Sequence, residues 1–214
     1  MRMRFSLAVL AMIAVVATSN YLVQFPVQGT VGGVELGNIL TWGAFTYPVA
    51  FLVTDLTNRH FGPATARRVV LFGFVLAVLW SVFLATPRIA IASGAAFLVA
   101  QWLDVTIFDR LRANPRWWRA PLVSSLFGSV VDSILFWGVA FSASFAFVDA
   151  VFGTADGSLG FAIPFWGVGP DVPLWVSLAL GDFAIKLLIA AVLLVPYGAL
   201  RRLISDRALR PVKA

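Results

Sequence analysis

Cysteine is absent from the 214-residue sequence, and histidine occurs once, at His60. The lack of cysteine excludes disulfide bonds and thiolate metal sites, and a single histidine excludes a multi-histidine metal site within one chain. Both absences remove the usual nucleophile–base pairs of covalent catalysis. No P-loop, H-E-x-x-H, G-x-S-x-G or Gly-rich dinucleotide motif occurs either. We therefore expect neither an enzyme nor a protein with a cofactor or a bound metal.

Charged residues are also scarce, at 12% of the chain, while 60% of the residues are hydrophobic. Globular domains average about 25% charged and about 45–50% apolar residues, so this composition indicates a membrane protein. Apolar windows of about 20 residues predict spanning helices. We predict an all-α membrane protein, a single domain over residues 1–214 forming a compact bundle of six transmembrane helices, at 5–25, 38–56, 68–85, 89–108, 122–145 and 174–200.

The basic residues are distributed very unevenly over the predicted connections. Fourteen of the 16 Lys and Arg residues lie before the first helix, in the second and fourth connections, or after the last helix. The exceptions are Arg88, in the third connection, and Lys186, inside the last helix. Because basic residues concentrate on the cytoplasmic side, this alternation predicts cytoplasmic N- and C-termini. The net charge of +6 is then a topology signal rather than an indication of nucleic-acid binding.

The fifth connection, 146–173, is long and rich in Gly and Pro, and it lies on the predicted non-cytoplasmic side. Its aromatic residues are typical of a surface loop at the headgroup level. A lid or plug over the bundle is the alternative interpretation.

Three aspartates and one lysine lie inside predicted spans, where an unpaired charge costs at least about 2.5–3.5 kcal/mol. Asp104, in the apolar stretch 99–108, has Gln101 three residues before it, and Asp132 has Ser129 at the same spacing. Side chains three apart share a helix face, so each acid has a polar neighbour.

The lysine allows two pairings. Asp182 and Lys186 are four residues apart and are able to neutralise each other. Alternatively, Lys186 reaches Asp104 or Asp132, and whichever acid it leaves is free for substrate.

The first helix has two amides at a spacing of four, Asn20 and Gln24. Interhelical hydrogen bonding and substrate binding explain this pair equally well.

In the second span, Pro48 cannot donate a backbone hydrogen bond, which predicts a kink or local unwinding. Trp42 and Phe45 lie just before this break. They suit a stacking platform for a flat heterocycle, or an interfacial aromatic belt. Farther along, Asp55 is followed four residues later by Arg59. That spacing allows a local ion pair, and Arg67 or Arg68 is the alternative partner of Asp55. In either case we expect Asp55 to act as a gate or latch near the cytoplasmic surface.

Several motifs resemble one known family. S-N-Y-L-V-Q (19–24), T-W-G-A-F (41–45) and L-V-T-D-L-T-N-R-H-F-G (52–62) are similar to segments of the queuosine precursor transporters, formerly called vitamin uptake transporters. Q-W-L-D-V-T-I-F-D-R-L-R (101–112), R-W-W-R-A-P (116–121), L-F-G-S-V-V-D-S (126–133) and G-D-F-A-I-K (181–186) extend the match to every helix but the third. The chain departs from the pattern at Ser129, where similar members have asparagine.

The resemblance implies import of 7-deazaguanines such as 7-cyano-7-deazaguanine across the cell inner membrane, for queuosine salvage in tRNA. It also implies a fold similar to the substrate-binding subunits of energy-coupling-factor transporters. On this interpretation a carboxylate accepts the N–H donors of the guanine-like edge. The predicted substrate-binding residues are Asn20, Gln24, Trp42, Phe45, Gln101, Asp104, Ser129 and Asp132; the gating or charge-pairing residues are Asp55, Asp182 and Lys186.

Two rival functions stay open. The first is a membrane subunit that requires a separate ATPase, and the second is an importer of another small heterocycle. The expected partners are the bilayer and a small molecule, and a homodimer is left open.

Overall fold

The structure is a computed structural model that describes residues 2–203. The basic residues Arg207, Arg210 and Lys213, which contribute to the predicted cytoplasmic C-terminus, lie outside this range. In chain order the elements are α1 (Arg2–Leu22), β1 (Thr30–Val31), β2 (Val34–Glu35), α2 (Gly43–Thr46), α3 (Val49–Phe61), α4 (Pro63–Leu84), α5 (Pro87–Leu111), α6 (Arg119–Phe141), α7 (Ala146–Phe152), β3 (Ala162–Pro164), β4 (Asp171–Pro173) and α8 (Leu174–Leu203). The strands form two short antiparallel hairpins, β1–β2 and β3–β4.

Within residues 2–203, five helices are long and apolar enough to cross a membrane, namely α1, α4, α5, α6 and α8. The second predicted span is different. Its first residues, 38–42, are not α-helical, and the remainder is divided into α2 and α3. The predicted start of the second helix at residue 38 is therefore wrong, because its first α-helical residue is Gly43.

The division occurs at Pro48, so the predicted interruption at this residue is confirmed. Pro48 has no N–H to donate to the carbonyl of Ala44. The backbone tightens instead, and the amide nitrogens of Ala50 and Phe51 bond carbonyls three residues back, at 2.9 and 3.1 Å. Tyr47 thus lies at a break between two helical segments.

The boundaries of α4 and α5 follow from local sequence. Gly62 has a φ of 82°, in the left-handed region that glycine tolerates, and it lets the chain turn between α3 and α4. Pro63 and Pro87 occupy first helical positions, where a missing N–H has no cost. The Thr86 hydroxyl caps α5 by accepting a hydrogen bond from the Ile89 amide at 3.4 Å.

The largest buried apolar cluster lies where α1, α3, α4 and α5 meet, and it includes Met12, Val16, Val69, Val70 and Phe97. Large apolar side chains also point outward: Phe83 of α4 is 82% exposed, Ile134 of α6 is 66% exposed and Val195 of α8 is 76% exposed. A soluble monomer rarely exposes such extensive apolar surface, whereas lipid contacts it without cost. The fold is thus that of an all-α membrane protein.

Arg88, the basic residue of the third connection, is buried at the start of α5. Its guanidinium donates to Asp149 Oδ2 at 2.8 Å, to Ser158 Oγ at 3.1 Å and to the carbonyls of Val139 and Ser142. The hydrogen bond from Arg88 lowers the pKa of Asp149. A neutralised arginine thus tethers the connection after α6 to the bundle.

Gly181 of α8 packs tightly against the backbone of Ile39, so a larger side chain at this position should destabilise the fold. A Cβ added at Gly181 would lie 2.2 Å from the Ile39 carbonyl oxygen, a backbone atom that cannot rotate away. We expect Gly181→Ala to reduce stability by about 1–3 kcal/mol, as overpacking does. Thermal unfolding of the purified protein in detergent measures this loss.

Gly138→Ala is the matched control, because nothing lies within 4 Å of its added Cβ. Alanine is favoured over glycine in helices by up to about 1 kcal/mol, so this variant should melt at or above the wild-type temperature. A Gly181→Ala protein as stable as Gly138→Ala would contradict the packing.

Candidate functional site

Asp132 of α6 and Asp182 and Lys186 of α8 form one buried cluster with Tyr47 and Ser133. This group of five residues is here called the lysine cluster. The Lys186 ammonium donates to Asp132 Oδ2 at 2.6 Å and to Asp182 Oδ2. The lysine therefore forms ion pairs with both Asp182 and Asp132. Neither of the two pairings left open by the sequence is complete alone.

Each acid of the lysine cluster receives a second hydrogen bond from a neutral hydroxyl. The Tyr47 hydroxyl donates to Asp132 Oδ1 at 2.7 Å, and Ser133 Oγ donates to Asp182 Oδ2 at 2.9 Å. The Lys186 ammonium also lies 4.9 Å from the centre of the Tyr47 ring. These partners reduce the cost of the buried charges, which would be high for an isolated ion in a low-dielectric interior.

Local structure explains how these residues meet. Asp182 and Lys186 are one turn apart on α8, and Asp132 and Ser133 are consecutive on α6. Tyr47 lies at the Pro48 interruption, where the α2–α3 backbone changes its bonding pattern. Three separate parts of the chain thus converge on one ammonium group.

A small cavity of about 50 Å³ lies beside the lysine cluster. It is located where α1 ends and where α5 and α8 begin, so it is nearer to one end of the bundle. Small-molecule sites commonly measure about 300–1,000 Å³, so a bicyclic heterocycle requires the lining residues to move apart. Its polar lining residues are Ser19, Asn20, Ser93, Asp132, Asp182 and Lys186, and its aromatic ones are Tyr47, Phe97 and Phe136.

A second polar centre lies between α3 and α5. Asp55 and Asp104, here called the acid pair, are 2% and 0% exposed, and their side chains interact directly. Two hydrogen bonds join α3 to α5 next to the acid pair. Thr54 Oγ1 donates to Gln101 Oε1 at 2.6 Å, and Asn58 Nδ2 donates to the Val105 carbonyl at 3.0 Å. From α6, Ser124 Oγ donates to Asp55 Oδ1 at 3.4 Å.

Helix α6 and the segment from Tyr47 through α3 serve both centres. On α6, Asp132 follows Ser124 by eight residues, and Asp55 follows Tyr47 by the same number. At 1.5 Å per residue, the lysine cluster and the acid pair are about 12 Å apart along the bundle.

The predicted site residues separate into groups. Asn20, Asp132, Asp182 and Lys186 line the cavity. Gln101, Asp104 and Asp55 belong to the second centre. Ser129 lies on α6 between the two centres, buried, and its Oγ has no hydrogen-bond partner within residues 2–203.

The remaining three predicted residues, Gln24, Trp42 and Phe45, neither line this cavity nor belong to the second centre. Helix α1 ends at Leu22, so the prediction that Gln24 belongs to the first helix is wrong, and Gln24 lies in the following turn. Its side chain bonds the Asn20 carbonyl at 3.3 Å. The Trp42 and Phe45 rings are 5.6 Å apart, and Trp42 is about half exposed.

The Asp55–Arg59 ion pair that the spacing allows is not formed. Arg59 donates instead to the Tyr197 hydroxyl at 3.2 Å and to the Arg112 carbonyl at 2.9 Å. Helix α3 continues to Phe61, so Asp55 is buried and well inside the helix instead of near the surface.

Sequence reasoning missed Tyr47, Phe97 and Phe136. Tyr47 had a usable signal, because the residue before a mid-helix proline sits where the backbone is interrupted. The two phenylalanines had none, since each is one of 19 in an apolar chain.

The lysine cluster predicts a specific pattern of stability. Lys186→Met leaves Asp132 and Asp182 buried without a cation, a change that costs about 3–5 kcal/mol. Replacing both acids as well, in Lys186→Met/Asp132→Asn/Asp182→Asn, removes the uncompensated charges and should recover most of the loss. Thermal unfolding in detergent measures both. A single variant as stable as wild type, or a triple variant no better than the single, would contradict the charge balance.

Comparison with known proteins agrees with this picture. The family described as "Putative vitamin uptake transporter" matches residues 41–86 and 79–200. The "Queuosine precursor transporter" of Escherichia coli (strain K12) is 37% identical, with 90% of this chain and 84% of the relative covered. The "Probable queuosine precursor transporter" of Haemophilus influenzae (strain ATCC 51907 / DSM 11121 / KW20 / Rd) is 35% identical over the same shares. No solved structure matches the chain.

These relatives are named as transporters, in agreement with the expectation that the chain is not an enzyme. Because the family match covers most of the chain and the two relatives align over nearly all of it, the chain belongs to the queuosine precursor transporter family.

Proposed function

We propose that this chain imports a 7-deazaguanine precursor of queuosine across the cell inner membrane and binds it in the cavity beside the lysine cluster. The observation that carries the proposal is this cavity, which combines a carboxylate, an amide and aromatic rings inside an apolar bundle. The printed names of the relatives supply the substrate class.

The lining suits the hydrogen-bonding edge of a guanine-like ring. Such a ring presents N–H donors at N1 and N2, which Asp132 is placed to accept, and a carbonyl at O6, which the Asn20 amide is placed to serve. Phe97 and Phe136 provide apolar contact for the faces of the ring. In this scheme Asp132, rather than Asp104, contacts the substrate.

Substrate binding must exchange partners within the lysine cluster. Asp132 already accepts from Tyr47 and Lys186, so a donor edge replaces at least one of them. One lysine facing two acids also leaves a formal charge of −1. This excess negative charge accommodates a cationic aminomethyl substrate as well as a neutral cyano one.

In this proposal α2 and α3 together cross the membrane, in addition to the five long helices. Because the number of spans is then even, both termini lie on the same side, the cytoplasm. The cavity then lies in the non-cytoplasmic half of the bundle, while the acid pair lies in the cytoplasmic half. Alternating access requires the region between them to open towards the cytoplasm.

Uptake in living cells tests the substrate class. In cells that cannot make the precursor and have no second importer, deletion of this protein should abolish queuosine in tRNA when 7-cyano-7-deazaguanine is supplied. Normal queuosine after deletion would refute the function. If transport in liposomes required an added ATPase, the chain would instead be a substrate-binding subunit.

Binding measurements test the placement of the substrate. Asp132→Asn should weaken binding about 10- to 100-fold, because a hydrogen bond to a charged group contributes about 1.5–3 kcal/mol. Asp182 still neutralises Lys186 in this variant, so the fold should persist. Calorimetry on purified protein provides the affinity.

Asp109→Asn is the matched control, since this partly exposed acid pairs with Arg112 at 2.9 Å, away from the cavity. It should bind like wild type. Equal affinity of Asp132→Asn and Asp109→Asn would place the substrate elsewhere.

A further inference from the structure

The acid pair is a buried centre without a compensating cation among the described residues. Asp55 and Asp104 are both buried in the bundle, and neither forms an ion pair within residues 2–203. Asp132 and Asp182, by contrast, each form an ion pair with Lys186. Two ionised carboxylates facing each other in an apolar interior repel strongly, and one of them is expected to bind a proton.

Hydrogen bonding around the pair is incomplete. The Asp104 side chain is fully buried against the Asp55 carboxyl and the Ser124 hydroxyl, but neither of its oxygens accepts a hydrogen bond of normal geometry among the described residues. Nearby, Gln101 Nε2 and Asn58 Oδ1 are also buried and unpaired. Buried polar atoms are rarely left without a partner, so this centre is built for something that enters it.

The charged and titratable groups around the pair do not neutralise it. From α3, Arg59 acts at a distance and is engaged by Tyr197 of α8 and by the Arg112 carbonyl. Arg112 itself pairs with Asp109, and Arg67 of α4 lies over the Trp102 ring. From α6 the pair receives only the Ser124 hydroxyl.

We propose that Asp55 and Asp104 form a proton site that couples import to the proton gradient, with one proton shared between the two carboxyl groups. A single shared proton converts two repelling acceptors into a donor and an acceptor and removes one buried charge. It also needs no coordination shell, unlike a sodium ion. This coupling role rests on the proposed function.

The two centres share the elements needed for coupling. Helix α3 begins beside Tyr47 of the lysine cluster and carries Asp55, and α6 carries both Asp132 and Ser124. A substrate that displaces the Tyr47 hydroxyl from Asp132 therefore acts on the helix that positions Asp55. Transfer of the proton to the cytoplasm then accompanies release of the substrate.

Transport by the purified full chain in liposomes tests the proposal. The probe is radiolabelled 7-cyano-7-deazaguanine, with the membrane potential held at zero and an outside pH one unit below the inside. One proton per substrate gives about tenfold accumulation. Asp104→Asn and Asp55→Asn should exchange labelled for unlabelled substrate but accumulate none. Asp109→Asn, the same change on a partly exposed acid of α5, should accumulate like wild type.

Infrared difference spectroscopy provides a readout that does not require transport. A protonated carboxyl group has a C=O band that shifts in D₂O. Wild type should show such a band, and both Asp104→Asn and Asp55→Asn should lose it. Absence of the band in wild type, or its retention in both variants, would overturn the proton site.

Three transport results would overturn the coupling role: accumulation driven by sodium instead of protons, mere equilibration by wild type under the pH gradient, or gradient-driven accumulation by Asp104→Asn. A wild-type protein that neither binds nor exchanges any deazaguanine would instead refute the proposed function. The infrared band would still decide whether the acids hold a proton.

Discussion

Lys186 has to be neutralised within an apolar bundle, and much of the site follows from that requirement. Its ammonium engages acids on two helices, Asp132 of α6 and Asp182 of α8. Tyr47 adds a hydroxyl from the α2–α3 break. Burial of one cation thereby determines how α6 and α8 face each other and what lines the cavity beside them.

The interruption at Pro48 adds a third part of the chain to the lysine cluster, because Tyr47 lies next to it. A continuous helix would bond all of its amides internally and would hold Tyr47 in a regular repeat. The proline removes one donor, and the chain compensates with tighter bonds across the break. A polar side chain at such a point is available to partners on other helices, as the bond from Tyr47 to Asp132 demonstrates.

The two polar centres differ in how their buried acids are compensated. The lysine cluster provides a cation and neutral hydroxyls, so both of its acids are satisfied. Within residues 2–203 the acid pair has no cation in contact, and the oxygens of Asp104 accept no hydrogen bond of normal geometry. In a transporter of this family, a satisfied centre beside a cavity suits exchange with a substrate, and an unsatisfied one suits a small mobile cation such as a proton.

Much of the fold was predictable, because apolar length and basic residues report on the bilayer. The long helices and the break at Pro48 follow from the cost of unbonded backbone in lipid. The second span was the exception: its α-helix starts only at Gly43, and residues before it form a connection packed against α8. Periodicity does not register such packing.

The site was less predictable, because periodicity places residues on a helix face without telling which helix that face meets. The sequence alone established that three acids and one lysine had to be compensated inside the membrane, since their cost depends on depth and not on partners. Only the tertiary structure decided that Lys186 takes both Asp132 and Asp182 while Asp104 faces Asp55. That choice depends on which side chains from different helices come within about 3 Å of each other, a distance that helix packing determines.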